Sequence, residues 1–132
     1  MNDFNDLGRI REDLRGVSKE IFGKLYRLEI VAVACAQEPP IWSRRLARSL
    51  ALPENQVASE LVNFAGFGAL QRFPSDHDRR KIYQVVRHPI WGFGRVLLEE
   101  TIRAAEPEAG DERVAGFWEV VLDGAEPVPV PG

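Results

Sequence analysis

The sequence predicts a mainly α-helical domain that carries one small β-hairpin. Two patterns lead there: apolar residues recur at spacings of three and four along most of the chain, and two short alternating runs, 70–73 and 82–86, flank a polar, charged break. Composition agrees, since 132 residues with 45% apolar content can bury one real core. No apolar run approaches the roughly 18 residues of a membrane span, and the N-terminus is polar and mixed in charge. That excludes a spanning helix and a secretory signal. One cysteine cannot form an internal disulfide, so a reducing, cytoplasmic setting is expected.

The centre of the prediction is Ile41 to Leu70. Leu46, Ala47 and Leu50 recur at helical spacing after Ser43, whose hydroxyl can accept the amide protons of a first turn. Leu52 and Pro53 stop that helix. Pro53 suits the first turn of a second helix, in which Val57, Leu61 and Phe64 form one apolar stripe and Asn55, Gln56, Ser59 and Asn63 the opposite face. A helix with an apolar back and an amide-rich front, held at a corner by a shorter helix, is a helix-turn-helix, whose second helix fits the major groove.

These residues carry a family resemblance. Leu46-Ala47, Leu50-Ala51-Leu52, Val57, Leu61, Phe64, Gly68 and Leu70 resemble the winged helix-turn-helix of ArsR- and MarR-type bacterial regulators, with Ala51 where the family often has glycine. Asp78-Arg79-Arg80-Lys81 is similar to the basic wing that follows the recognition helix in that family, and Arg27, Leu28 and Ile30 match the Arg-Leu-x-Ile helix of its ArsR-type members. The resemblance covers about Leu25 to Arg87. It implies a winged helix-turn-helix with extra N- and C-terminal helices, a homodimer, double-stranded DNA as partner and repression by occlusion.

The net charge of −3 first argues against nucleic acid. Its distribution reverses that. Residues 1–41 carry six basic and seven acidic groups, residues 42–88 eight and four, and residues 89–132 three and nine, so the cations gather in the helix-turn-helix and wing. In the first helix of the corner, Arg44, Arg45 and Arg48 share no face with Leu46 and Leu50. They are expected, with Ser43, as phosphate clamps, the alternative being plain solvated surface. Asn55, Gln56, Ser59 and Asn63 are the expected base readers, since Asn or Gln can pair with adenine N6 and N7. In the wing, His77, Arg79, Arg80 and Lys81 are expected at phosphates or in a narrow minor groove, against an ordinary charged turn. Asp76 or Asp78 could orient an arginine there, as the resemblance implies.

The flanking segments complete the division: an N-terminal helix in 1–23, the core in 24–88, a helix in 89–106, a linker with a short aromatic helix in 107–124, and a Pro-rich tail in 125–132. Leu7, Ile10, Leu14, Val17 and Ile21 form a seam that packs either on its own domain or on a second subunit, with a bend expected at Gly23. Leu25 to Gln37 is apolar almost all round and is expected as a buried helix, Cys35 being a small core residue rather than a redox thiol. Ile90, Phe93, Leu97, Leu98 and Ile102 form the stripe of the next helix, with Trp91 beside it. Val114, Phe117, Trp118, Val121 and Leu122 form a last apolar face, capped by Asp111, that packs on its own domain or on a partner protein.

No catalytic constellation is visible: there is no Walker loop, dinucleotide glycine fingerprint, His-Glu-x-x-His or Cys-x-x-Cys. No enzyme activity, cofactor or metal is expected, and His77 and His88 are disfavoured as ligands. Trp42, Phe64, Phe67, Phe73, Trp91 and Phe93 are expected as core rather than as an effector pocket. The sequence therefore predicts a DNA-binding transcriptional regulator, with a winged-helix protein-interaction module or antagonist of another regulator as the competing reading.

Overall fold

The computed structural model describes residues 4–73 and 81–123, the side chains of residues 4–8 excepted. Over that range the order is α1 (Phe4–Phe22), α2 (Arg27–Ala34), α3 (Ser43–Leu50), α4 (Glu54–Gly66), β1 (Leu70–Phe73), β2 (Ile82–Val85), α5 (Pro89–Ala105) and α6 (Gly110–Asp123). The expected Pro-rich tail, 125–132, lies outside the described residues.

The seam of α1 seats on its own domain: Ile10 and Leu14 are buried against the core, while Ile21 at the far end is exposed. The helix does not bend at Gly23 but stops before it. Gly23 takes φ +73, a left-handed conformation that costs glycine little, and its N–H closes on Lys19 O at 2.9 Å. Ser18, fully buried, then fastens the turn by donating to Lys24 O at 2.5 Å and accepting from Leu28 N at 3.0 Å.

Helix α2 is shorter than the apolar run, and Leu25 stands exposed outside it. From Leu28 to Ala34 every residue is buried, Glu29 included. A lone carboxylate there would be costly. Two arginines of α1 offset it: Arg11 Nε lies 2.7 Å and Arg15 Nε 3.1 Å from the two Glu29 oxygens. Arg11 also donates to Leu50 O at the end of α3. One buried acid thus links α1, α2 and the helix-turn-helix.

Helix α5 crosses α2 at closest range where Gly94 meets Val31, and a Cβ built on Gly94 would lie 2.1 Å from Val31 Cγ1. This contact sets the roll of α5. The buried row is Trp91, Gly94, Leu98 and Ile102, whereas Phe93, expected in the stripe, is 50% exposed. Trp91, expected beside the stripe, points into the core and donates through Nε1 to Ala69 O at 3.2 Å and Val86 O at 3.0 Å. The reason is steric, because the absence of a side chain at Gly94 lets α5 lie directly on Val31.

The two strands pair antiparallel in the register Leu70↔Val85, Gln71↔Gln84, Arg72↔Tyr83 and Phe73↔Ile82. Leu70 and Tyr83 face the core. Ile41 adds an isolated bridge to Tyr83 with two bonds of 2.8 Å, which fixes the hairpin against the start of α3. Asp111 does not cap α6. It sits in the first turn and accepts from Arg103 Nε at 2.9 Å. Val114, Phe117 and Val121 of α6 are buried in the same core, and Ser49 of α3 donates to Val121 O at 3.0 Å.

Candidate nucleic-acid interface

Helix α3 begins at Ser43, but Ser43 does not cap it. Extended Trp42 holds the N-cap position, and the Ser43 hydroxyl donates to Glu54 Oε1 at 3.4 Å. Of the three arginines, Arg44 and Arg48 are exposed as expected. Arg45 is not. It is 5% exposed, donates from Nη1 to Glu38 O at 2.5 Å and Pro40 O at 3.1 Å, and lies 5.4 Å over the Trp42 ring. The carbonyls around the Pro39-Pro40 pair need donors, and Arg45 supplies them. Burial pushes its pKa down, with Glu38 opposing, but a guanidinium stays charged in proteins. Arg45 therefore serves the fold rather than the exposed basic row.

The corner turns at Ala51, the non-glycine residue with left-handed backbone at φ 52 and ψ 48 among the described residues. That conformation costs an L-residue about 1 kcal/mol, and the tight turn that it permits closes Leu52 N on Ala47 O at 3.0 Å. Pro53 stands one residue earlier than expected, at the N-cap of α4 rather than inside it, because its ψ of 128 is extended.

In α4 the expected stripe Val57, Leu61 and Phe64 is fully buried. Asn55, Gln56 and Ser59 are exposed. Asn63 turns aside, half-buried, and its Nδ2 donates to Glu60 Oε1 at 3.2 Å. Glu60, 6% exposed, is the residue that sequence reasoning missed: it receives Arg27 Nε at 2.6 Å and Arg27 Nη2 at 3.1 Å, tying α4 to α2. The Arg27 guanidinium also lies 5.6 Å from the Phe64 ring centre. The available signal for Glu60 was its place three residues after Val57 and four before Phe64, on the buried side of the helix.

Val62 was missed as well. At 49% exposure it stands seven residues after Asn55 and three after Ser59, on their row of the helix. Together with Trp42, Ser43, Arg44, Ala58, Lys81 and Tyr83 it lines an open groove of about 530 Å³ between α4 and the hairpin. Lys81 is exposed at the foot of β2. His77, Arg79 and Arg80, with Asp76 and Asp78, lie outside the described residues.

The aromatic residues do not gather round one cavity. Phe64 packs edge-on against Phe67 and Trp91 with ring centres 5.5 and 5.7 Å apart, while Phe93 meets Phe22 at 6.1 Å. His88 caps α5, its Nδ1 accepting from Ile90 N at 3.1 Å. Among the described residues no group of three or more His, Cys, Asp or Glu side chains could hold a metal ion, and no helix is long and apolar enough to cross a membrane.

A helical corner, a following hairpin and helices packed before and behind it define a winged helix-turn-helix protein. Its fold is that of MarR-family regulators. A transcriptional regulator (MarR family) from Rhodococcus sp. RHA1 superposes with a TM-score of 0.64 at 13% identity, covering 94% of this chain and 91% of that one. AbfR is also similar: its disulfide-formed structure has a TM-score of 0.53 at 17% identity over 89% of this chain and 85% of that one. Overoxidized AbfR bound to DNA has a TM-score of 0.51 at 19% identity over 90% and 86%. No protein-family model matches the sequence, and no curated protein matches it significantly.

Proposed function

We propose that this chain is a sequence-specific, double-stranded DNA-binding transcriptional regulator that acts as a homodimer and represses by occluding its site. The observation that carries the reading is the outward row of α4, where Asn55, Gln56 and Ser59 are exposed and Ser59 lines one groove with exposed Arg44 and Lys81. Cations beside an amide-bearing helix suit phosphates and base edges respectively. Overoxidized AbfR, of similar fold, has been solved bound to DNA, which supports the reading. Exposed apolar Phe93 and Val96 on α5 support a second copy packing beside the N- and C-terminal helices.

The competing reading, a protein-interaction module working through α6, loses its main motive because Val114, Phe117 and Val121 are already spent on α3 and α5. The test is selection of bound fragments from genomic DNA, followed by titration against the recovered duplex at several salt concentrations. Affinity should fall steeply with salt, and joint Arg79→Ala and Arg80→Ala substitution should flatten the slope by about two phosphate contacts. No selected duplex at low salt would end the proposal. Sedimentation of the free protein checks the dimer.

A further inference from the structure

Val62 has no packing reason to be where it is. The core side of α4 is complete with Val57, Leu61 and Phe64, all fully buried, yet a β-branched apolar side chain stands 49% exposed one residue after Leu61. Its row is the one that carries Asn55 and Ser59, and Ala58 beside it adds to the same apolar floor of the open groove. The rim of that floor is polar and charged: it carries the cations Arg44 and Lys81, the hydroxyl of Ser59, and Glu54, whose carboxylate is engaged by the Ser43 hydroxyl. A surface of this kind, with a small apolar step set among hydrogen-bonding and charged groups, matches one feature of the major-groove edge. Thymine alone of the four bases presents a methyl group there, and an apolar side chain reads it by contact.

We propose that Val62 is a specificity-determining residue that packs on a thymine C5-methyl, with Ala58 completing the contact. The inference rests on the DNA-reading function proposed above and adds one base to it. Val62 lies about 10 Å along the helix axis from Asn55, at the 1.5 Å rise of each residue, so its thymine lies about three base pairs from the base that Asn55 meets. The exposed position means that Val62 can be changed without disturbing the core, which separates recognition from folding.

The experiment uses the full-length protein and the duplex recovered by selection. Each thymine is replaced in turn by deoxyuridine, which removes only the methyl, and affinity is read by fluorescence anisotropy at fixed salt for the native protein and for Val62→Ser. Deoxyuridine at one position of each half-site should weaken the native protein roughly fourfold, the factor for one buried methyl-sized group, and leave Val62→Ser unchanged. Circular dichroism should show the variant folded. The inference is overturned if the native protein binds every deoxyuridine duplex as it binds the thymine one, or if Val62→Ser loses the same factor at the same position. If the native protein selects no duplex at all, the DNA-reading function falls and this inference with it, a result distinct from tight binding without methyl dependence.

Discussion

Arg27 of α2 holds Glu60 of α4 through two nitrogens, at 2.6 and 3.1 Å, with side chains only 16% and 8% exposed. This pair sets the tilt of α4 on the core. Removing one partner leaves the other buried with its charge uncompensated, which costs about 3 kcal/mol. Glu60→Ala is therefore expected to lower the unfolding free energy by that amount, read as a lower urea midpoint at unchanged slope, while joint Arg27→Met and Glu60→Leu substitution recovers most of the loss. Equal damage from the single and double variants would mean that the ion pair is not the cause.

Gly94→Ala tests the crossing of α5 over α2. Its new methyl would fall 2.1 Å from Val31 Cγ1, so either the Val31 side chain or the helix has to shift. The expected cost is about 2 kcal/mol, of the size seen for overpacked cores. Thermal unfolding reads it. Combining Gly94→Ala with Val31→Ala should cost less than the sum of the two single changes, because the second makes room for the first.

Arg44 and Arg45 are neighbours in sequence with opposite expected phenotypes. Arg45→Ala strips the Glu38 and Pro40 carbonyls of their buried donor and should destabilise the fold by about 2 kcal/mol. Arg44→Ala touches an exposed side chain, so its stability should change by less than about 0.5 kcal/mol while the salt slope of DNA binding falls by about one. Denaturant titration and salt titration of both variants separate the two roles.

The Cys35 thiol is half-buried, its Sγ donating to Ala32 O at 3.2 Å. Burial raises its pKa above the ordinary 9.0, with Arg95 opposing. A raised pKa means that the folded state holds the proton more tightly than the unfolded one. The stability this gives is complete below pH 9 and is lost as pH climbs through the folded value. Iodoacetamide should accordingly label folded Cys35 more slowly than a free thiol at pH 8 to 9, and Cys35→Ser should remove the alkaline fall in stability that this group contributes. Labelling as fast as in the unfolded chain would restore the redox-thiol reading.

Much of the fold was legible because periodicity reports which face of an element is apolar. The stripes Val57-Leu61-Phe64 and Ile10-Leu14 and the strand run 70–73 stand where their patterns put them, and the run expected over 82–86 forms a strand from Ile82 to Val85. The candidate interface was legible in part for the same reason: Asn55, Gln56 and Ser59 face outward because the opposite face is apolar. Spacing says nothing, however, about what a polar side chain meets. Arg45, Glu60 and Asn63 have the composition of surface residues, and their burial depends on partners distant in sequence or on carbonyls of an irregular loop.

The sequence by itself determined the helical corner, the hairpin and the concentration of positive charge around them, since each follows from local periodicity, turn chemistry or a count of residues. Only the tertiary structure decided the roll of α5 and the anchoring of α4. Both depend on one close meeting between distant segments, Gly94 on Val31 and Arg27 on Glu60. The same packing left Val62 outside a core already filled, which no pattern of apolar residues along the chain could announce.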